Sequence, residues 1–489
     1  MSSQLAQNFM GIPVEELVPD AAAVRGVSRS SLLTGRRRVR LSAQTGASAG
    51  SWTSATAGTS ANGQIIQFVL ADSSSLLDLN SVVLSCTAQT FATSANTCTL
   101  QDGPSFIRRI TVSLNGTVVD DTDLANRFCN ANVYGGSDRA YYNGAGSFAG
   151  FWAQNSDLAV PQTFQNVSTI AVNSLHADIS GASIYAAQRY QSSQGYQGGY
   201  PLALVSSLFR AKQYLPLSQV GEMVIQIVLA SPGEACFVAN SSAPATFGYA
   251  LSDVFLEADF IQPHYLYQEM LNRVTQLEGE QGMVIAYDAT ISTQGQAITT
   301  SGTASIVTSL ATNNLRKIIL TFAPTSWLTA INYPSVQCFP NMGISDVQFR
   351  IGSLYFPSQT ANSIGRIWQM TQSAFNGGDP LHHGNGVVDY NTWCKTTSPN
   401  TYGSTMTTRG CANQFFGDSM ILAYSFDCLK GGEELMADGI SVLGQAGSQI
   451  QTNVTLNGTL ITNGVLATIH LTRTRYLVLK NGSLRVEGV

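Results

Sequence analysis

The sequence predicts an all-β protein built from two consecutive sandwiches. Three observations lead there. Apolar residues recur with period two through most of the chain, Asn-Gly pairs punctuate those runs, and the two halves carry similar segments in the same order. Side chains alternate across a strand, so period two marks a half-buried sheet.

Residues 1–62 read as a basic, partly flexible arm. One short helical turn is expected between Pro13 and Pro19. Six arginines (25, 29, 36, 37, 38 and 40) against Glu15, Glu16 and Asp20 leave this arm at +3, so the remainder carries −8 of the total −5. Thr45 to Gly63 is a Gly/Ala/Ser/Thr stretch without periodicity, which predicts flexible or extended chain.

The first sandwich is expected over residues 63–263. Ile110, Val112 and Leu114 alternate with Arg109, Thr111 and Ser113, and Asn115-Gly116 follows as a hairpin turn whose two positions need φ > 0. Leu124 to Val133 predicts a short helix with Thr122 or Asp123 as its N-cap. Met223 to Leu229 is apolar on nearly both faces, as suits a strand inside a sandwich. Val254, Leu256, Ala258 and Phe260 complete the alternation.

Residues 264–282 predict a connecting helix. Leu266, Met270, Val274 and Leu277 fall on one face, Glu269 and Arg273 form an i,i+4 pair, and Gly279 and Gly282 end it. The second sandwich is expected over 283–489. Its Ser309-to-Trp327 and Asp346-to-Phe356 segments repeat Ser74-to-Phe91 and Phe106-to-Gly116 at an offset of roughly 235–240 residues. Asn457-Gly458 and Asn481-Gly482 mark further hairpins. With long insertions near 130–200 and 372–414, the pattern predicts two eight-stranded jelly-roll β-sandwiches with elaborated loops and a few short helices.

Composition points to surfaces that meet other copies. Charged residues are 11% of the chain, against about 25% in ordinary soluble domains. Ser, Thr, Asn, Gln and 44 Gly take their place, and such a surface is covered by a neighbour without stranding charges. The net charge of −5 argues against nucleic-acid binding by the chain as a whole. No apolar run reaches the ~18 residues of a membrane span, and the polar start predicts a protein made inside the cell and not secreted. Eight cysteines without a CxxC pair predict reduced, mostly buried thiols.

Motifs with catalytic or metal-binding chemistry fail on context. Gly46 to Gly50 matches G-x-S-x-G without a following helix, and Gly144 to Ala149 matches a dinucleotide fingerprint without a βαβ unit. His382-His383 beside Asp379 and Asp389 is the best metal candidate, but adjacent strand residues point to opposite faces. Asp120-Asp121-Thr122-Asp123 lacks the spaced ligands of a calcium loop and reads as a turn and helix start. His470, between Ile469 and Leu471, reads as a hydrogen-bonded sheet residue. No catalytic residue, metal site or cofactor is assigned, and the protein is not expected to be an enzyme.

Two other clusters stand out. Arg36, Arg37, Arg38 and Arg40 predict an interior contact with genome, membrane or a minor protein, the rival reading being a charged edge strand that discourages aggregation. Tyr141, Tyr142, Phe148, Phe151 and Trp152, in the first insertion, are candidate inter-subunit anchors, unless they cover the sandwich of their own chain.

Ser206-Ser-Leu-Phe-Arg-Ala-Lys-Gln-Tyr-Leu-Pro-Leu217, with Gly221 and Met223 to Ala230, resembles a segment of double jelly-roll major capsid proteins. Gln348 to Pro357 resembles a strand and turn of their second barrel, and Phe106 to Gly116 their apolar strand followed by Asn-Gly. The similarity is nearest to capsid proteins of polinton-like viruses and virophage-type elements. It extends over about residues 70–489 as an order of patterned segments and leaves the arm uncovered. The resemblance implies a homotrimer forming a pseudo-hexagonal capsomer, an icosahedral shell around double-stranded DNA, loops that tower outward, and location in the virion. It also implies penton and minor or cement proteins as partners, with contact of the basic arm to DNA or an internal membrane. The rival readings are a viral spike or fibre, which would carry repeats or a heptad stalk, and a glycan-binding or glycan-cleaving β-sandwich, for which acids are scarce.

Overall fold

A computed structural model describes residues 33–44, 52–53, 64–72, 74–92, 98–137, 145–151, 196–211, 213–238, 247–265, 283–295, 297–299, 302–325, 336, 339–376, 393, 420–427, 439–443, 449–456, 464–480 and 483–488. The first half contains β1 (Leu33–Ser42), β2 (Trp52–Thr53), β3 (Ile65–Ala71), β4 (Leu76–Ala92), β5 (Cys98–Leu100), β6 (Ile107–Leu114), β7 (Thr117–Asp123) and helix α1 (Ala125–Gly136). It continues with β8 (Tyr196–Pro201), β9 (Leu215–Pro216), β10 (Glu222–Leu229), β11 (Cys236–Val238) and β12 (Phe247–Pro263). The second half contains β13 (Met283–Gln294), β14 (Gly302–Ser309), β15 (Leu315–Pro324), β16 (Asp346–Ile351), β17 (Leu354–Ala361) and helix α2 (Ile364–Asn376). After it come β18 (Leu422–Ser425), β19 (Gln449–Leu456), β20 (Val465–Lys480) and β21 (Ser483–Glu487).

The halves share one topology. In the first, the facing sheets run β1-β12-β4-β8 and β3-β10-β6-β7. In the second they run β13-β20-β15-β18 and β14-β19-β16-β17, so each strand has a counterpart in the same place. The helices correspond too, since α1 follows β7 and α2 follows β17, roughly 240 residues downstream. All ladders are antiparallel, so each sandwich is a jelly roll.

Alternation places the cores. Ile66, Phe68 and Leu70 of β3, Ile110, Val112 and Leu114 of β6, and Ile225 and Ile227 of β10 are fully buried, as are Leu77, Leu79, Leu84 and Leu256 of the opposing sheet. Burial of each such side chain contributes about 1.5–3 kcal/mol. Strand β10 is hydrogen-bonded on both sides, to β3 and β6, which accounts for apolar residues on both of its faces, interrupted only by Gln226: Val224 and Val228 point outward and are still half-covered. Phe349, Val347, Ile351 and Val454 play the same part in the second unit.

The Asn115-Gly116 turn forms as expected, with φ of 46° and 79°, joining β6 to β7. The Asn481-Gly482 pair lies outside the described residues but separates β20 from β21, which pair from Lys480↔Ser483 onward. Asn457-Gly458, the Pro13–Pro19 turn and the connecting helix lie outside the described residues, although β12 ends at Pro263 and β13 begins at Met283. Among the described residues no helix is long and apolar enough to cross a membrane. Cys86, Cys129 and Cys236 are buried and form no disulfide.

Two expectations need correction. The arm does not end at 62: β1 is the first strand of the first jelly roll and pairs with β12 from Leu33↔Pro263 to Ser42↔Phe255. Its four arginines mask the alternation of Val39 and Leu41, which pack against the core. Helix α1 is not capped by Thr122 or Asp123. Its N-cap is Leu124, at φ 51° and without a side-chain hydrogen bond, because both polar candidates are engaged elsewhere. Asp123 accepts from Arg108 Nε at 3.1 Å, and Thr122 Oγ1 donates to the Thr290 carbonyl at 3.4 Å.

Candidate functional site

The basic cluster lies on the edge strand β1, where Arg36, Arg37 and Arg38 are more than half exposed and ion-paired within the chain. Arg36 holds Asp259 and reaches Asp78 at 3.6 Å, Arg37 holds Asp72, and Arg38 Nε donates to Glu257 Oε2 at 2.8 Å. Arg40 lies over the Phe255 ring, 3.3 Å from its centroid. The hydrogen bond that Arg36 donates to Asp259 raises the pKa of Arg36 above its ordinary value. For Asp72, burial pulls the pKa up, but the bonds from Ser74 and the charge of Arg37 outweigh it and bring the carboxyl below its usual range. The acids that neutralise β1 sit on β12, on β4 and just after β3, far from the arginines in sequence.

The aromatic candidates divide. Phe151 is fully buried in its own chain, so it is not an inter-subunit contact. Its ring fills the space over Gly103, where a Cβ would meet Phe151 Cζ at 2.7 Å. Phe148 is 57% exposed. Tyr141, Tyr142 and Trp152 lie outside the described residues, as do His382, His383, Asp379, Asp389 and Gly46 to Gly50.

Sequence reasoning missed the seam between the two sandwiches, where most of the buried polar chemistry collects. Edge strand β7 is closed by β13. Tyr287 donates its phenol O–H to the Val119 carbonyl at 2.8 Å, and Arg475 Nη1 donates to the same oxygen at 3.0 Å. Ser207 Oγ and Thr290 Oγ1 stand 3.2 Å apart. Helix α1 presses on the second unit: Asn130 Nδ2 donates to the Val336 carbonyl at 3.2 Å, Arg127 Nη1 to Thr468 Oγ1 at 3.4 Å, and Phe128 packs on the His470 ring at 5.6 Å. The Val336 N–H donates to Gln101 Oε1 at 2.8 Å.

Burial sets the electrostatics of this seam. It raises the Asp120 carboxyl to about 6, although Ser206 donates to it and Arg475 lies near. It lowers His470 to about 3, helped by the charge of Arg127. His470 is therefore neutral, and its Nδ1 lies 2.6 Å from Ser292 Oγ. Among the described residues no carboxylate hydrogen-bonds the other ring nitrogen, and the ring itself is completely buried, so the pair ties strand β13 to β20. The Asp120–Asp123 run is part of β7, with Asp121 held by Arg109 Nε at 2.6 Å. Among the described residues no three His, Cys, Asp or Glu side chains come together as a metal site. A separate open cavity of about 520 Å³ lies between β17, α2 and β18, lined by Pro357, Arg366, Gln369, Ser373 and Tyr424 among others.

No protein-family model matches the chain. No curated protein sequence matches it either. Solved structures do match: the chain has the double jelly-roll fold of viral major capsid proteins. A chain of the PBCV-1 virus capsid superposes with a TM-score of 0.57 at 11% identity, covering 95% of this chain and 99% of that one. The Faustovirus major capsid protein gives 0.52 at 9% identity, covering 98% and 96%, and a chain of the Sputnik virophage gives 0.50 at 13%, covering 95% and 92%. At these identities the likeness is one of fold.

Proposed function

We propose that this chain is a major capsid protein. It trimerises into pseudo-hexagonal capsomers that tile an icosahedral shell around double-stranded DNA. The supporting observation is that the chain matches capsid chains almost end to end, with 95% and 98% of its own length and 99% and 96% of the PBCV-1 and Faustovirus chains covered. The scarcity of charge suits wide lateral contact, because few ions lose water when copies meet. The role is structural: shape and symmetry carry the specificity, and hydrophobic burial within each sandwich supplies the rigid building block.

In this reading the protein belongs to the virion and is assembled inside the host cell without secretion. Its first partners are sister chains, with penton and minor or cement proteins completing the shell. Contact of Arg36, Arg37, Arg38 and Arg40 with DNA or an internal membrane is the part that the ion pairs weigh against, since phosphate would have to displace Asp259, Asp72 and Glu257.

Native mass spectrometry of the purified protein tests the proposal. A species of three 52.1 kDa chains, or shells in negative-stain micrographs, is the expected result. A stable monomer at micromolar concentration overturns it.

A further inference from the structure

Helix α1 begins with charge of the wrong sign. A helix N-terminus carries partial positive charge, so acids and anions are favoured there and cations are not. The first turn of α1 has no acid. It holds Arg127 instead, buried at 3% exposure. Leu124 supplies no side-chain cap. The Arg127 N–H donates to Asn126 Oδ1 at 2.9 Å, an amide oxygen and not a carboxylate.

The Arg127 guanidinium is also under-bonded. Its Nη1 reaches Thr468 Oγ1 at 3.4 Å, while Nε is buried without a hydrogen-bond partner among the described residues. The carboxylate whose charge acts on it is Glu234, already held by Arg108 Nη1 at 2.9 Å and Asn126 Nδ2 at 3.2 Å. Two positions along β20 from Thr468, on the same side of the strand, stands the completely buried His470. Its Nε2 has no partner among the described residues either. With the Ser292 hydroxyl donating to Nδ1, the proton of the neutral ring sits on Nε2. Two orphaned N–H donors, one from each sandwich, thus meet beside Thr468 and the Phe128 ring.

We propose that the seam between the two sandwiches binds one small monovalent anion, of the halide class, between the Nε–H of Arg127 and the Nε2–H of His470 at the N-terminus of α1. Such an ion accepts from both donors, offsets the buried guanidinium and meets the positive end of the helix. Water would satisfy the donors but leave Arg127 to share Glu234 with Arg108, and an under-compensated buried charge is costly. The enclosure favours a halide over phosphate or sulfate, whose double charge costs far more to strip of water. The bound ion bridges the first sandwich to the second within one chain, a role that does not rest on the capsid reading.

The test uses the full chain, with sodium bromide replacing sodium gluconate at constant ionic strength. The melting temperature is expected to rise with bromide and to level off as a single site fills. In Arg127→Gln this saturating rise is expected to be lost, leaving only the shallow, unsaturating trend that a change of salt gives any protein. Crystals of the parent grown in bromide and measured at the bromine edge are expected to show an anomalous peak within hydrogen-bond reach of both Arg127 Nε and His470 Nε2. The parent's curve and this peak decide the matter if the variant does not fold. A melting temperature that never levels off, a saturating rise that survives in folded Arg127→Gln, or a seam without a bromine peak overturns the site and leaves the capsid reading intact.

Discussion

The Tyr287 hydroxyl lies 2.8 Å from the carbonyl oxygen of Val119 and ties the first strand of one sandwich to the edge strand of the other. A bare strand edge invites pairing with foreign chains. Here it is closed from within the chain, by a phenol and by the guanidinium of Arg475.

Tyr287→Phe keeps the ring and removes this bond. The Val119 oxygen retains Arg475, so the expected cost is about 1 kcal/mol. A lowered urea midpoint with an unchanged slope checks it.

Asp120 couples the seam to pH. Its folded pKa is raised to about 6 from 3.8, so between these values the folded state holds a proton that the unfolded state has released. The contribution of this group to stability is therefore full below about pH 4, falls as pH rises toward 6, and is flat above. Asp120→Asn mimics the protonated form. It is expected to stabilise the protein at pH 7–8 relative to the parent and to leave the two equal near pH 4, read from melting temperatures across that range.

His470 works in the opposite sense. Burial lowers its pKa from 6.5 to about 3, so the unfolded state binds the proton first. Stability from the neutral ring is present above pH 6.5 and is lost as pH falls toward 3. In His470→Gln the acid-side slope is expected to flatten. A parent and variant with parallel stability curves between pH 6.5 and 4 would contradict this.

Two glycines separate crowding from backbone strain. Gly116 has φ 79° and nothing within 4 Å of the place a Cβ would take, whereas Gly103 has φ 65° and the Phe151 ring 2.7 Å from that place. Gly116→Ala is expected to cost about 1 kcal/mol from conformation alone. Gly103→Ala adds overpacking of about 1–3 kcal/mol. Thermal denaturation ranks the two.

Replacing Arg36, Arg37, Arg38 and Arg40 together by Gln distinguishes genome contact from sister-chain contact. Because three of the four are already neutralised by carboxylates, affinity for double-stranded DNA is expected to change by no more than about threefold. The trimer, by contrast, is expected to weaken. A large loss of DNA affinity with a flatter salt dependence would assign the strand to the genome instead.

Much of the architecture is legible in the residues. Ile110, Val112 and Leu114, closed by Asn115-Gly116, specify a strand and its turn without reference to anything distant, and the repeated order of segments foretells two units. The arginines hide β1 because a charged strand loses its apolar alternation, and its compensating acids lie far along the chain. The aromatic group in the insertion is only partly legible, because composition does not say whether a ring turns inward: Phe151 does, over a glycine that leaves room for it. The seam leaves no trace in the sequence, since Val119, Asn130 and Val336 are ordinary residues whose importance lies in their partners.

Local periodicity and turn chemistry thus determined the strands, the Asn115-Gly116 turn and the twin-sandwich plan, because they depend on neighbours a few residues apart. Only the tertiary structure decided which edge is closed, which arginines are neutralised and which helix is left open. Those outcomes depend on groups such as Arg36 and Asp259, or Arg127 and Thr468, that stand 223 and 341 positions apart and meet only when both sheets have packed.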